Sequence, residues 1–400
     1  MWKSLIWLYS HQYFTRVWVV QEISANQERL VHCGCEKIEW ELIDLIAGYI
    51  TMEPVFSTKY GFSNTNCWWV STITEMARNP RNWLSILYLA STYSCMNPRD
   101  VIYGLRGLIE VPSGDGLLDP DYNKPALEVY RDSVEVSLLS FHSTDVFTYV
   151  TGTTIPSWIP RWNESMVFRN PFRFGRSLPW KPAGTTSPIW DIEKENNILS
   201  LTGLPVDSVR FSESYSEGFF SNAMIDSDMC KTLLRPAWQR ILATIQKSQS
   251  QRLLARSALS AAATSFSFGL DENTNPTNDT HLTQNFIAYL KLVLHEDIFQ
   301  EYIPQDLADE GTHGDGRLFG KPAWDFKYPE SSFYITNEGF FGCSISAVQP
   351  GDQLCVALGS TYPMILRPNG EEFLMKGYTY VHGLMNGERQ DLERRVFRIR

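Results

Sequence analysis

The apolar residues of this chain change their period along its length, and that change limits the folds open to it. Over residues 1–110 they recur at helical spacing, as in WKSLIWLYS (2–10), FTRVWVVQEISA (14–25) and NWLSILYLASTYS (82–94). From about residue 330 they fall into short runs broken by Gly and Pro: SSFYITNEGFFG, QLCVALG, YPMILRP and EFLMKGYTYVHG. Helices grouped before strands, rather than alternating with them, predict an α+β fold: helical N-terminal and middle portions with a small β-rich C-terminal unit. Within the strand region, PNGEE (368–372) reads as a tight hairpin turn.

Between these ends the signals are mixed. IEWELIDLIAGYI (38–50) reads as an amphipathic helix with Ile38, Leu42, Leu45 and Ile46 on one face and Glu39, Glu41 and Asp44 early, where the helix dipole favours acids. NPRDVIYGLRGLI (97–109) is a further helix, with Arg99 and Asp100 expected to bond locally at its start. ALEVYRDSVEVSLLS (126–140) returns to helical spacing. Residues 151–190 carry Pro, Gly and Trp without a period and read as an ordered irregular loop. NILSLTGLPVDSVRF (197–211) reads as strand, turn, strand. LDENTNPTNDTH (270–281) is expected to be mobile, and THGDGRLFG (312–320) to be a flexible surface loop. The expected domains are 1–30, a helical 31–150, a mixed 151–330 and a β-rich 331–390.

Net charge −10 argues against a nucleic-acid partner, whose phosphates require a basic surface. No run approaches 18 apolar residues, so no membrane span is expected. The seven cysteines are scattered in apolar runs, the pattern of reduced thiols in a cytoplasmic protein. Cys33 and Cys35 with His32 lack a second ligand pair, so no metal site is expected. His142, His295 and His382 have no companion nucleophile in sequence. The Asn163 and Asn278 glycosylation triplets are short enough to arise by chance.

Several blocks, taken together and in order, resemble the fungal heterokaryon incompatibility (HET) family. YFTRVWVVQEI (13–23) is similar to the family's aromatic–x–x–Arg–x–Trp–x–x–Gln–Glu block, and NPRDVIYGLRGLI to its DPRDKIYALLGL block. DPDYNKPALEVYRDSVE (119–135), IPSWIPRW (155–162), GFFGCSISAVQPGDQLCVALGSTYPMILRPNG (339–370) and KGYTYVHGLMNGE (376–388) resemble its later segments. Arg161 stands where the family usually has Asp, and the family's upstream SYtWG-like and DaiCInQ-like blocks have no counterpart.

The resemblance implies a self/non-self recognition protein that acts in programmed cell death through protein contacts, with a protein partner or self-association and no cofactor. It also implies that residues 1–30 are the tail of a TIR-like α/β domain. NAD-cleaving TIR domains carry a catalytic Glu four residues after a Trp. Trp18 and Glu22 have that spacing, and Ser10 lies eight residues before the Trp. The alternative function is therefore NAD cleavage, with Glu22 holding the ribose hydroxyls, Trp18 walling the pocket and NAD as substrate. A truncated, inactive product is the third reading. Truncation would leave Trp7, Trp18 and Val19 in an exposed apolar patch.

Overall fold

The computed structural model describes residues 2–25, 28–78, 83–108, 116–166, 179–216, 219–220, 225, 227–249, 253–273, 275–320 and 330–400. It is α+β and divides into two compact units, residues 1–140 with 161–167, and residues 141–160 with 168–400.

Unit 1 is helical apart from one hairpin. Its elements are α1 (Trp2–Tyr9), α2 (Val17–Ser24), β1 (Leu30–Cys33), β2 (Glu36–Glu39), α3 (Trp40–Met52), α4 (Pro54–Tyr60), α5 (Cys67–Arg78), α6 (Trp83–Ala90), α7 (Asp100–Tyr103) and α8 (Ala126–Phe141). Helix α2 has no side-chain cap. Instead the Val17 N–H donates to the Ser94 carbonyl at 3.2 Å, and the Ser94 N–H donates to the Thr15 carbonyl at 2.6 Å. Those bonds satisfy a first-turn donor and fix the entry of the helix. Val17, Val19, Val20 and Ile23 then face the core. Helix α4 opens on Pro54 and stops at Gly61, whose φ of +82° is the left-handed cap that Gly adopts without cost.

Helix α3 presents a different face to the core from the one expected. Trp40, Ile43, Ala47 and Ile50 are buried, and α3 packs on α5, where the Trp40 indole donates to Thr74 Oγ1 at 3.0 Å. Leu42 and Leu45, expected inside, are exposed. The sequence allows both arrangements, because apolar residues run along two sides of this helix.

Unit 2 is built on a barrel. Its strands are β3 (Trp190–Glu193), β4 (Ile198–Ser216), β5 (Glu330–Thr336), β6 (Phe341–Ser344), β7 (Gln353–Ala357), β8 (Met364–Asn369), β9 (Glu372–Val381) and β10 (Arg395–Ile399). Antiparallel pairing runs β4–β5–β6–β9–β8–β7 and returns to β4, which closes the ring. A closed ring leaves no open edge among its members. The segment expected to be strand, turn, strand is one 19-residue strand, β4. Irregularities at Pro205/Asp207 and Val209/Phe211 bend it, so its earlier half pairs with β7 and its later half with β5. Pro205 sits at the first of these, a place where a strand tolerates a residue without an N–H.

Strand β5 shows how the barrel is filled and covered. Tyr334 points into an interior shared with Leu204, Val206, Leu354, Val356, Ile365 and Val381. Phe333 and Ile335 point the other way, into a core shared with the helices α9 (Asp228–Gln249), α10 (Arg256–Phe266) and α11 (Asp279–Val293). Helices α12 (Glu296–Tyr302) and α13 (Gln305–Glu310) follow. The Gly-rich segment expected to be a flexible loop is packed closely on α11. A Cβ at Gly316 would lie 2.6 Å from the Tyr289 backbone nitrogen, and the Phe319 ring lies 4.7 Å from that of Phe286, tilted by 36°. The stretch expected to be mobile is likewise bonded. Asp271 accepts from the N–H groups of Asn273 and Asn275, and Asn278 caps α11 by accepting from His281 N–H at 2.8 Å.

One ion pair ties the turn before β7 to β8, and the backbone of its aspartate bonds to β4. The fully buried Asp352 carboxylate accepts from Arg367 Nε at 2.8 Å, from a second guanidinium N–H at 2.9 Å and from the Gln349 N–H at 2.9 Å. The Asp352 carbonyl also accepts from Val209 N–H in β4 at 2.8 Å. Removing one partner of such a pair strands the other's charge. Asp352→Ala should therefore cost about 3–5 kcal/mol, whereas Asp352→Leu combined with Arg367→Met should recover most of the loss. Equilibrium chemical denaturation of the three proteins measures this. A single variant as stable as the parent would show that the pair does not hold the barrel.

Candidate functional site

Unit 1 has a cleft of about 450 Å³ between α1, the turn after it and β1. Leu8, Phe14, Ile23 and Val31 give it apolar walls, and His11, Tyr13, His32 and Cys33 bring polar atoms to it. The register of β1 on β2 and the Trp40 N–H to Arg29 carbonyl bond at 2.9 Å fix which groups pair within the hairpin. By that alternation Leu30 and His32 turn their backbone N–H and C=O groups away from β2, so this wall of the cleft is an open strand edge. His11 Nδ1 accepts from the Tyr13 N–H at 3.2 Å and is thereby used as a cap. Among the described residues no three His, Cys, Asp or Glu side chains are placed to hold a metal.

Glu22 stands beside this cleft rather than in it. Its side chain is exposed and accepts from the Tyr13 hydroxyl at 2.9 Å. Trp18 is turned to other work. Its indole N–H donates to Asp100 Oδ2 at 3.2 Å, its ring packs close to Gly104, and Asp100 Oδ1 accepts from Tyr122 at 2.8 Å. The helical spacing of Trp18 and Glu22 is real, yet neither lines the cleft and each has its own partner. Ser10 donates to the Ile6 carbonyl at 2.7 Å. Arg99 and Asp100 do more than bond locally: Arg99 Nε donates to the Lys124 carbonyl at 2.5 Å, and Tyr103 donates to the Asp121 carbonyl at 3.0 Å. The first three sequence blocks thus meet in one hydrogen-bonded cluster.

The expected exposed patch is also different. Trp7 is 60% exposed, but Val19 is fully buried and Trp18 half-buried. The exposed apolar surface lies on α3 and the start of α4 instead: Leu42, Leu45 (70%), Tyr49 (57%), Met52 (81%) and Val55 (80%). The sequence pattern places Leu42 and Leu45 on one apolar face of the helix and does not show which face the core covers. The signal was present as a second apolar stripe along the same helix.

Unit 2 holds one cluster that no local motif announces. His382 Nδ1 lies 2.9 Å from Thr264 Oγ1 and 4.0 Å from Asp279 Oδ2. A nucleophile relay needs the hydroxyl at one ring nitrogen and the carboxylate at the other. Here both face Nδ1, and the Thr264 hydroxyl donates to the Ser260 carbonyl at 2.9 Å. The cluster therefore has a packing geometry and no activated nucleophile.

The Tyr13–Glu22 contact makes a measurable prediction. Burial, then the bond to Glu22, pushes the Tyr13 phenol from its ordinary 10 up to about 12. A raised folded-state value favours the neutral phenol in the native protein. Its contribution to stability is complete below pH 10 and is lost as pH rises through about 12. Glu22→Ala removes the second cause and leaves the first, so the Tyr13 midpoint should fall but stay above 10. Because Glu22 is at the surface, stability near neutral pH should change by less than about 1 kcal/mol. Ring-carbon NMR titration of Tyr13 reads the midpoint directly, and an unmoved midpoint would break the pairing.

With this geometry in place, comparisons with known proteins locate the chain. Residues 327–398 match the Het-6 beta-barrel domain family, the span that holds β5 to β10. Heterokaryon incompatibility protein 6, OR allele, of Neurospora crassa is 23% identical over 465 aligned residues. The alignment takes in 96% of this chain and 65% of that protein, so the chain spans just under two thirds of its relative's length. No solved structure matches. The chain thus carries a barrel similar to the Het-6 beta-barrel domain, and along nearly its whole length it is similar to a heterokaryon incompatibility protein.

Proposed function

We propose that this chain serves fungal self/non-self recognition, the kind of role that its relative's name describes, and that it acts by protein contact rather than by chemistry at Glu22. The observation that carries this reading is the outer face of α3, where Leu45, Tyr49 and Met52 stand in solvent in one row. Large apolar side chains grouped on a surface mark interaction sites more often than isolated ones do. The cell-death outcome and a cytoplasmic setting belong to the same proposal. All seven cysteines are free, which suits a reducing compartment, and no helix among the described residues is long and apolar enough to cross a membrane.

NAD cleavage would require Trp18 and Glu22 to share a pocket. Trp18 is committed to Asp100 and Glu22 to Tyr13, so these two side chains build no common wall. Recognition by contact needs no such pocket.

The two readings separate in a fungal host that shows an incompatibility response to the parent chain. The Leu45→Glu, Met52→Glu double variant should abolish the response at unchanged protein level and melting temperature, because both positions are exposed. Glu22→Ala should retain the response and leave cellular NAD where the parent leaves it. Loss of the response in Glu22→Ala with an intact fold would favour chemistry at Glu22 and overturn the contact reading.

A further inference from the structure

The outer face of α3 specifies more than a sticky surface. Its exposed apolar residues Leu42, Leu45, Tyr49 and Met52 are spaced three, four and three apart. That is the a/d spacing of a helix-packing seam, on which a second helix seats its side chains in successive holes. The buried residues Trp40, Ile43, Ala47 and Ile50 repeat the same spacing two positions earlier in register, and they already serve α5. At roughly 100° per residue the two seams lie on nearly opposite sides of the helix. A helix that is apolar on both sides belongs between two partners.

Charge selects among the occupants. From residue 38 to residue 58 the sequence carries Glu39, Glu41, Asp44 and Glu53 and no Lys or Arg. Glu39 and Glu41 flank the outer seam at its start, and Glu53 closes its far end, all three exposed. Arg29 reaches Glu41 at 3.7 Å and offsets part of this charge. A second copy of α3 would bring acid against acid, which destabilises a helix pair. An anionic lipid surface would be repelled for the same reason.

We infer that the outer face of α3 docks an amphipathic helix whose apolar seam is bordered by Lys and Arg. This rests on the reading that the chain works by protein contact, and it adds the chemistry of the partner. The anchors are Leu45, Tyr49 and Met52, and the acids at both ends of the seam set register and exclude acidic helices.

Two synthetic helical peptides of about 21 residues test it, long enough to hold helix on the surface. They share Leu at every a and d position and differ only in the flanking e and g positions, all Lys in one and all Glu in the other. Calorimetric titration of the full chain should show one site for the Lys peptide, at least tenfold weaker for the Glu peptide, and weaker for the Lys peptide as salt is raised. Leu45→Glu should abolish the site, and Glu39→Lys with Glu41→Lys should shift preference toward the Glu peptide. Equal binding of both peptides, binding insensitive to Leu45→Glu, or no binding at all would overturn the inference. So would a dimer in sedimentation that Leu45→Glu dissolves, which would make a second copy the occupant. Those results leave the contact reading standing; it fails separately if the Leu45→Glu, Met52→Glu chain still triggers incompatibility.

Discussion

A buried carboxylate with both oxygens occupied holds the barrel unit in register. Asp352 takes two N–H groups of Arg367 from β8 and the Gln349 N–H from its own turn, while its carbonyl takes Val209 from β4. Val209 stands at the point where β4 leaves β7 and takes up β5. Fixing that residue fixes both halves of the longest strand, and with them the closure of the ring. The geometry is bidentate, so it sets direction as well as distance. A well-packed apolar pair could match its stability; what the ion pair adds is direction in the seating of β8 on the turn whose backbone meets β4.

Much of the barrel could be read from local chemistry. PNGEE becomes the β8–β9 hairpin, with Gly370 at φ +66°, because a two-residue turn there needs a positive φ that Gly supplies freely. Strand β4 was less legible, since Pro205 and the residues after it have the composition of a turn. Only the pairing with β7, set by residues far away in sequence, turns that signal into an irregularity inside one strand. The Gly-rich run at 312–320 misleads for a similar reason. Glycines that permit a flexible loop are the same glycines that permit backbone to lie against backbone, and α11 decides between the two uses.

The block around Trp18 teaches a different lesson. Trp18, Asp100 and Tyr122 come from three separate stretches and are joined by two hydrogen bonds, with Arg99 and Tyr103 holding the third stretch by its carbonyls. Residues chosen for their resemblance to a catalytic pattern thus have a structural task visible in their contacts. Spacing told which residues share a helix face. It could not tell which neighbour each would find, because those neighbours lie 82 positions away for Trp18 and 9 for Glu22.

Helix α3 shows where the sequence is ambiguous for a physical reason. Two stripes with identical three-four-three spacing run along it, and either could face α5 on apolar content alone. The choice falls to the stripe with the better-shaped contacts. Trp40 at its start finds Thr74 for its indole N–H, and Ala47 in its middle is small enough to let a neighbouring helix approach. The other stripe has Tyr49 and Met52 at the equivalent later positions, larger side chains that would hold α5 away. Once the Trp40 stripe is buried, the Leu42 stripe is left outward by geometry, and its exposure is a consequence of the fold rather than of chance composition. An apolar seam left outward in this way costs solubility unless something covers it. That pressure acts on the same helix whose other face packs on α5 in the core of unit 1.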